Sequence, residues 1–464
     1  MNLVFRRFVS IFPLVTCTLA FATATAAEQH HRLETSLEAV DKLQVEVKLE
    51  VGGHLQLAGD DEVVPVPIRV DGKMRYDEVR LDGPANAGPQ RDAASAARAV
   101  RHYHEAGAKM AISGQEFTPQ LRDERRQIVA AATAEGVEIA SPKGPLTRDE
   151  LDLMALPGDS LLVDELLPPG EISEGDEWTH SNELLAALLG LDAVSASDVK
   201  SRLVEFTDQL AKIEMEGHVD GAVAGVASEI EVKAKYAFHR QANLVSWLAL
   251  LVNEKRSIGH VAPGLDTVAK LQMTRQPLDE STVLDAAAIR AARETTESLL
   301  LEHPGPTERI RLVHDRDWYT VGDEANLAAF RLVDRGELVA QCNVSAANLP
   351  AAKEITSVEA FQEQVRAAIA DHVGQFVEVT SAPHPRGYGI YRVVAEGTVA
   401  ELPIRWIYYL VFDRAGNRAA LVFTLETDLI EQFGDRDRDF VDRLEFVTEA
   451  AQTAGRGESR DMRR

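Results

Sequence analysis

Cysteine is nearly absent from this 464-residue chain, which has only Cys17 and Cys342. Cys17 falls in an N-terminal stretch that reads as a removable export signal. Cys342 is then alone, no internal disulfide can form, and stability must come from burial. Basic charge is also short: 49 Lys and Arg against 74 Asp and Glu leave a net charge of −25. Residues 1–27 contain two Arg and no acid, so the remainder carries −27. That balance argues against nucleic acid as a partner. The acids are interspersed with bases throughout, the pattern of solvated faces and not of an acidic tail. A long apolar run is missing too. The stretch from Phe8 to Phe21 is interrupted by Pro13 and falls short of the roughly 20 residues a spanning helix needs. No G-x-S-x-G occurs, and no Lys-Ser or Lys-Thr follows the glycines at Gly217, Gly221 and Gly225. The nucleophile elbow and the phosphate loop are therefore both lacking, and turns and close sheet packing explain those glycines.

What the N-terminus does have is a charged head ending in Arg6-Arg7, the apolar run, and a small-residue stretch from Ala22 to Ala27. This three-part layout predicts general secretion, cleavage after Ala26 or Ala27, and a periplasmic or extracellular mature protein with no membrane span. No Ser or Thr precedes the arginine pair, which argues against twin-arginine export. Leu14-Val15-Thr16-Cys17 resembles a lipobox only loosely, because Thr16 is bulky and apolar sequence continues past Cys17.

Beyond the signal, the expected fold class is α+β: two domains, each an antiparallel sheet with helices packed on it. Residues 33–276 form the first, with a curved sheet. Alternation in Leu43-Gln44-Val45-Glu46-Val47 marks strands. Ala-, Arg- and Glu-rich composition predicts helices over 91–106 and 118–135, the second with Thr118 as N-cap and Gly136 past its end. Thr147-Arg148-Asp149-Glu150 is a capping box, and helices are also expected over 184–191 and 199–210. Strand pattern returns at 211–219, 230–238, 246–255 and 268–274. Residues 277–306, closing in His303-Pro304-Gly305-Pro306, are expected to be a linker. Residues 307–448 form the second domain, with a helix opening at Thr356 and presenting Val358, Phe361, Val365 and Ile369, a hairpin at Ala415-Gly416-Asn417, and a flexible tail at 449–464.

The order of elements in the second domain, with Asp317-Trp318-Tyr319, Phe361-Gln362 and the strand from Pro403 to Tyr409, resembles PsbP-like and DcrB-like domains. That resemblance implies a compact accessory module of exported proteins and brings no shared catalytic residues. The first domain resembles, more faintly, curved-sheet lipoprotein-type carriers of bacterial envelopes.

Candidate chemistry is sparse. His102-Tyr103-His104-Glu105 is the densest metal-like cluster, but on the expected helix residues two apart diverge and cannot share an ion; on a strand they could. His30-His31 reads as a flexible tail. Asp435-Arg436-Asp437-Arg438-Asp439 starts like a calcium loop but has Phe440 and Phe446 where Gly and Glu are needed. These acids are expected to favour a helix N-terminus. Cys342 reads as a buried small hydrophobe. Ile404, Trp406, Tyr408, Leu410 and Phe412 read as core, with a ligand-lining wall as the other option. No catalytic, cofactor or metal site is assigned. The chain reads as a non-catalytic exported protein that binds a partner or supports assembly. The alternative is a carrier of a small apolar, lipid-like ligand, and a hydrolase is the third reading. An apolar pocket would favour the carrier; a filled sheet face would favour the interaction protein.

Overall fold

The computed structural model describes residues 30–35, 42–59, 62–82, 97–133, 136–294, 299–307, 309–324, 326–346, 357–369 and 372–447. The expected signal with Ala26, Ala27 and Cys17, and the expected tail from 449, lie outside the described residues. Strands account for 59% and helices for 15% of the structure, which overturns the expected α+β class: the protein is mostly β, built on large antiparallel sheets.

After the short β1 (His31–Arg32), strands β2 (Lys42–Ala58), β3 (Val63–Asp82), β4 (Arg98–Ile112), β5 (Gln115–Phe117), β6 (Gln127–Thr133) and β7 (Gly136–Ala140) follow in meander order. Helix α1 (Arg148–Met154), β8 (Glu171–Ile172), β9 (Glu177–Thr179) and α2 (Asn182–Leu189) lie in a crossing segment. Then come β10 (Ala193–Ser197), β11 (Lys200–Phe206), β12 (Leu210–Val223), β13 (Val226–His239), β14 (Leu244–Arg256) and β15 (Gly264–Pro277). They join one 13-stranded sheet in the order β7-β6-β4-β3-β2-β15-β14-β13-β12-β11-β9, with β5 beside β4 and β10 beside β12. The long β15–β2 pairing, from Gly264↔Gln56 to Pro277↔Leu43, joins the two halves.

Three expected helices prove to be strands or turns. Arg98–Ile112 is β4, because Ala99, Arg101 and Tyr103 face one layer while Val100 and His102 face another. Both faces of that part of the strand are covered, so no apolar–polar alternation shows in the sequence. Ala-rich β6 is hidden for the same reason, its small residues fitting between layers. Gly136, with φ +130°, sits in the β6–β7 turn and ends no helix. In β11 the buried residues Ser201 and Leu203 are two apart, not four. The Thr147 capping box does form and opens α1, and α2 occupies 182–189.

The segment expected as a linker holds α3 (Ala286–Glu294) and β16 (Leu301–His303). Leu284 and Ala292 pack on Val79, Leu81, Val100 and Val129, covering the outer face of β3, β4 and β6 at one end.

The C-terminal module contains β17 (Ile310–His314), β18 (Trp318–Glu324), β19 (Leu327–Asp334), β20 (Glu337–Ala346), α4 (Val358–Ile369), β21 (Val373–Pro383), β22 (Gly389–Val399), β23 (Leu402–Phe412) and β24 (Arg418–Glu426). It closes with α5 (Ile430–Phe433), α6 (Arg436–Asp442) and β25 (Glu445–Phe446). Seven strands form the sheet β18-β19-β20-β24-β23-β22-β21. Phe361, Val365 and Ile369 of α4 pack on one face with Trp406 and Leu410. Trp318, Phe330, Phe423, Phe433 and Phe440 fill the other.

The two modules meet through polar contacts and one tight apposition. Arg122 reaches Glu150 (2.6 Å) and Glu302, and Arg311 pairs with Glu302 and with Glu445 (3.0 Å). Arg148 donates to the carbonyls of Arg316 and Trp318 and lies 4.5 Å over the Tyr319 ring. The hairpin turns at Ala224-Gly225 and Arg335-Gly336 have positive φ at both central residues and touch back to back, so closely that a Cβ on either glycine would collide with the other.

Candidate functional site

The large sheet has two unlike faces. Its inner face carries Val45, Tyr76, Tyr103, Met273, Leu248 and Tyr236, all buried. Leu146, Leu151, Met154, Leu162, Val163, Leu166, Leu185 and Leu188 of the crossing segment cover these residues, so one continuous core fills the space. Burying that much chain requires its polar groups to be paired. Arg101, 1% exposed, donates to Glu78 Oε2 (2.8 Å), Asp159 Oδ2 (2.9 Å) and Ser160 Oγ (3.0 Å). The Tyr76 hydroxyl donates to Ser160 Oγ (3.0 Å). Asp164 accepts from Arg275 (2.8 Å), Arg80 (2.9 Å) and the Val245 N–H (3.0 Å). Burial would raise the Asp164 carboxyl, but the two guanidiniums outweigh it and hold it at about 2. Burial pushes the Tyr103 phenol up to about 12. This network clamps residues 159–166 onto the sheet; its geometry is that of a fastener, with every group except Glu78 Oε1 and Arg275 Nε engaged.

The outer face is open over most of its width. Lys42, Lys48, Lys73, Lys109, Lys200, Lys212, Lys233, Lys235, Lys255 and Lys270 all project from it, as the cross-strand registers require. The whole chain has twelve lysines; of the other two, Lys143 is in a turn and Lys353 lies outside the described residues. One row crosses eight strands in register: Lys200, Glu216, Lys233, Leu251, Lys270, Glu50, Asp71, Lys109. Some members pair locally, as Lys235 does with Glu214 (2.8 Å) and Lys73 with Glu105 (2.7 Å). Two open grooves run over this face. The larger, about 1130 Å³, lies across β11–β15 around Lys233, Lys270 and Glu231. The second, about 760 Å³, lies across β2–β4 around Lys48, Lys73 and Lys109. Their rims are charged on both signs, so the face offers many weak, salt-sensitive contacts to a folded surface and no enclosed apolar volume.

The residues singled out in the sequence scatter. His102 and His104 lie on β4, not on a helix, and their rings stand 5.4 Å apart at 65°. His104 Nε2 is 2.9 Å from Asp77 Oδ1, and Asp77 also accepts from Ser281 (2.6 Å). Burial, His104 and Arg126 together lower the His102 pKa. Glu105 faces Lys73 instead. Among the described residues no group of three or more His, Cys, Asp or Glu is arranged to hold a metal ion. His30 Nδ1 is 3.2 Å from Ser173 Oγ, and His31 stacks on Phe206, so this pair is held in place where a tail was expected. Gly217, Gly221 and Gly225 lie on β12 and its turn, with backbone packed against each. Cys342 is buried on β20, where burial pushes its thiol up. Trp406 and Leu410 sit under α4, as core.

Asp437 and Asp439 lie in the first turn of α6, the helix N-terminus at which these acids are expected. Asp437 is also buried, accepting from the Tyr409 hydroxyl (2.6 Å) and Arg392 (3.0 Å). The lysine face and the Arg101 and Asp164 clamps were not found from sequence. The alternation of Glu229, Glu231, Lys233 and Lys235 along β13 was a usable signal for the face; nothing local marks the clamps.

No known protein family matches the chain, and no curated protein matches it. Solved structures give only faint likenesses. A lipovitellin structure concerned with lipid–protein interactions aligns at TM-score 0.30 and 7% identity, over 53% of this chain and 26% of that one. DynF from the dynemicin pathway of Micromonospora chersina aligns at TM-score 0.16 and 9% identity, over 56% and 90%. The translocator domain of the autotransporter NalP from Neisseria meningitidis aligns at 0.11 and 7%, over 83% and 88%. None of these likenesses shows a PsbP-like or DcrB-like fold.

Proposed function

We propose that this protein is an exported, non-catalytic binding protein that uses the lysine-bearing face of its large sheet as a platform for a folded partner. One observation carries the reading: the central part of the inner face is filled by the crossing segment, while the outer face stays open and charged. A carrier of a lipid-like molecule needs enclosed apolar volume. The two grooves named above are open, with charged rims. The export part of the proposal rests on the N-terminal pattern, and the likeness of residues 307–448 to PsbP-like and DcrB-like domains rests on element order.

Native mass spectrometry of the protein purified from its source tests the reading. A co-purifying polypeptide should appear, and it should be lost in Lys233→Glu/Lys270→Glu with the fold intact. A retained lipid mass, with no polypeptide, would support the carrier instead.

A further inference from the structure

The seam between the two modules is crossed by one strand that belongs to both. On its large-module side β16 gives the Glu302 N–H to the Leu146 carbonyl (2.8 Å), and Leu301 is part of the large-sheet core. On its other side β16 pairs with β17, so that Leu301 lies directly opposite His314, and His303 opposite Leu312. Side chains of directly opposed residues share a face, and Leu301 therefore covers His314 from the large-module side. The His303 and His314 rings stand edge-on to Phe330, at 5.2 and 5.4 Å, and His314 also stacks on Phe440 at 5.8 Å.

Hydrogen bonds fix which nitrogen of each ring is bare. A carbonyl only accepts, so His314 Nδ1, 2.8 Å from the Asp315 carbonyl, carries its proton; an added one goes to Nε2, on a residue 3% exposed. An N–H only donates, so His303 Nδ1, 3.0 Å from the Gly305 N–H, is bare, and protonating it breaks that bond. The charged groups around His314 are Arg148 of α1 and His303, which oppose its protonation, and Asp315, which favours it and itself pairs with Arg443 (3.2 Å). Around His303 they are Asp323 of β18, whose Oδ2 is 3.7 Å from Nε2, and Asp149 of α1. Burial outweighs these acids and lowers both pKa values, that of His314 to about 4. The ion pairs of the seam outlast this range: burial would raise the Glu150 carboxyl, but Arg122 outweighs it and holds it below its usual range.

We propose that the seam is an acid-released joint, in which β16 is the strap and His314 and His303 are the groups that sense pH. Both histidines bind protons more readily once β16 lifts from β17 and leaves them in water, so acid favours the lifted state. With His314 moving from about 4 to its ordinary value near 6.5, the lifted population rises about 20-fold between pH 7 and pH 5. The strap then stays with the large module through Leu146 and Arg122, and the C-terminal module loses it. This concerns the joint and not the lysine face, so it fails or holds apart from the partner-binding reading.

Hydrogen–deuterium exchange of the exported chain tests it. After correction for the intrinsic pH dependence of exchange, the amides of Leu301–His303 and Ile310–His314 should lose protection about 20-fold from pH 7 to pH 5. Those of β13 and β23 should keep theirs. His314→Phe, which has no titrating nitrogen, should remove most of the loss; His314→Leu is the second replacement if the larger ring does not fit. Lys233→Glu/Lys270→Glu should respond as the wild type does. Equal protection of β16 and β17 at the two pH values, a loss shared by β13 and β23, or His314 variants that respond like the wild type would overturn the proposal.

Discussion

The 13-stranded and 7-stranded sheets share antiparallel geometry but differ in what their faces meet. The first leaves most of one face to water and carries ten lysines there; the second is packed on both faces and has no lysine in its described strands. Arginine replaces lysine wherever a cation is buried or joins layers: Arg101 and Arg275 in the clamps, Arg122 and Arg148 between modules, Arg392 on Asp437. The planar guanidinium pairs bidentately and is weakly hydrated, whereas the ammonium keeps its water and suits a solvated face. The distribution of the two cations therefore maps which surfaces are internal.

The comparison can be broken hardest at the clamps. Asp164→Ala leaves Arg275 and Arg80 buried without their anion and should cost about 3–5 kcal/mol, read by urea unfolding. In the smaller sheet Phe361→Ala should cost about 3–5 kcal/mol, because the ring is buried under α4, while Gln362→Ala should be nearly silent. Equal effects would mean that the second face is not packed as described.

The next effect depends on pH. His314 is buried between the rings of Phe330 and Phe440, and burial lowers its pKa from 6.5 to about 4. The unfolded chain therefore binds this proton more readily. The stabilisation is complete above pH 6.5 and drains away as pH falls toward 4, by roughly 3 kcal/mol at most. Asp164 loses its contribution at lower pH, between about 4 and 2. A His314→Phe variant whose unfolding midpoint keeps the wild-type slope between pH 6.5 and 4 would contradict this.

Gly336→Ala should be milder, about 1–3 kcal/mol, since the turn it perturbs touches Gly225; Gly416→Ala, with a similar φ but open space, should cost less. Smallest of all, Lys233→Gln should change stability by less than about 0.5 kcal/mol. A larger loss would show that the platform face is structural.

Strands with one dry face were legible in the sequence: β2, β12, β13, β14 and β15 alternate, and the Thr147 box and α4 carry their own caps and spacing. The β4 and β6 strands read as helices because propensity speaks for Ala, Arg and Glu when alternation is silent, and β11 reads as one because Val199, Leu203, Phe206 and Leu210 recur at helical spacing. The His102-His104 pair was consequently placed on the wrong kind of element.

Local patterning by itself determined where chain direction breaks, which strands alternate, and that no disulfide supports the fold. Those features depend on a residue and its near neighbours along the chain. Only the tertiary structure decided that Arg101 meets Asp159, that Arg275 meets Asp164 across 111 residues, and that ten lysines share a face. Such pairings are set by strand order and register, and the same period-two pattern is compatible with many orders. Long-range burial then selects the one in which each charged group inside has a partner.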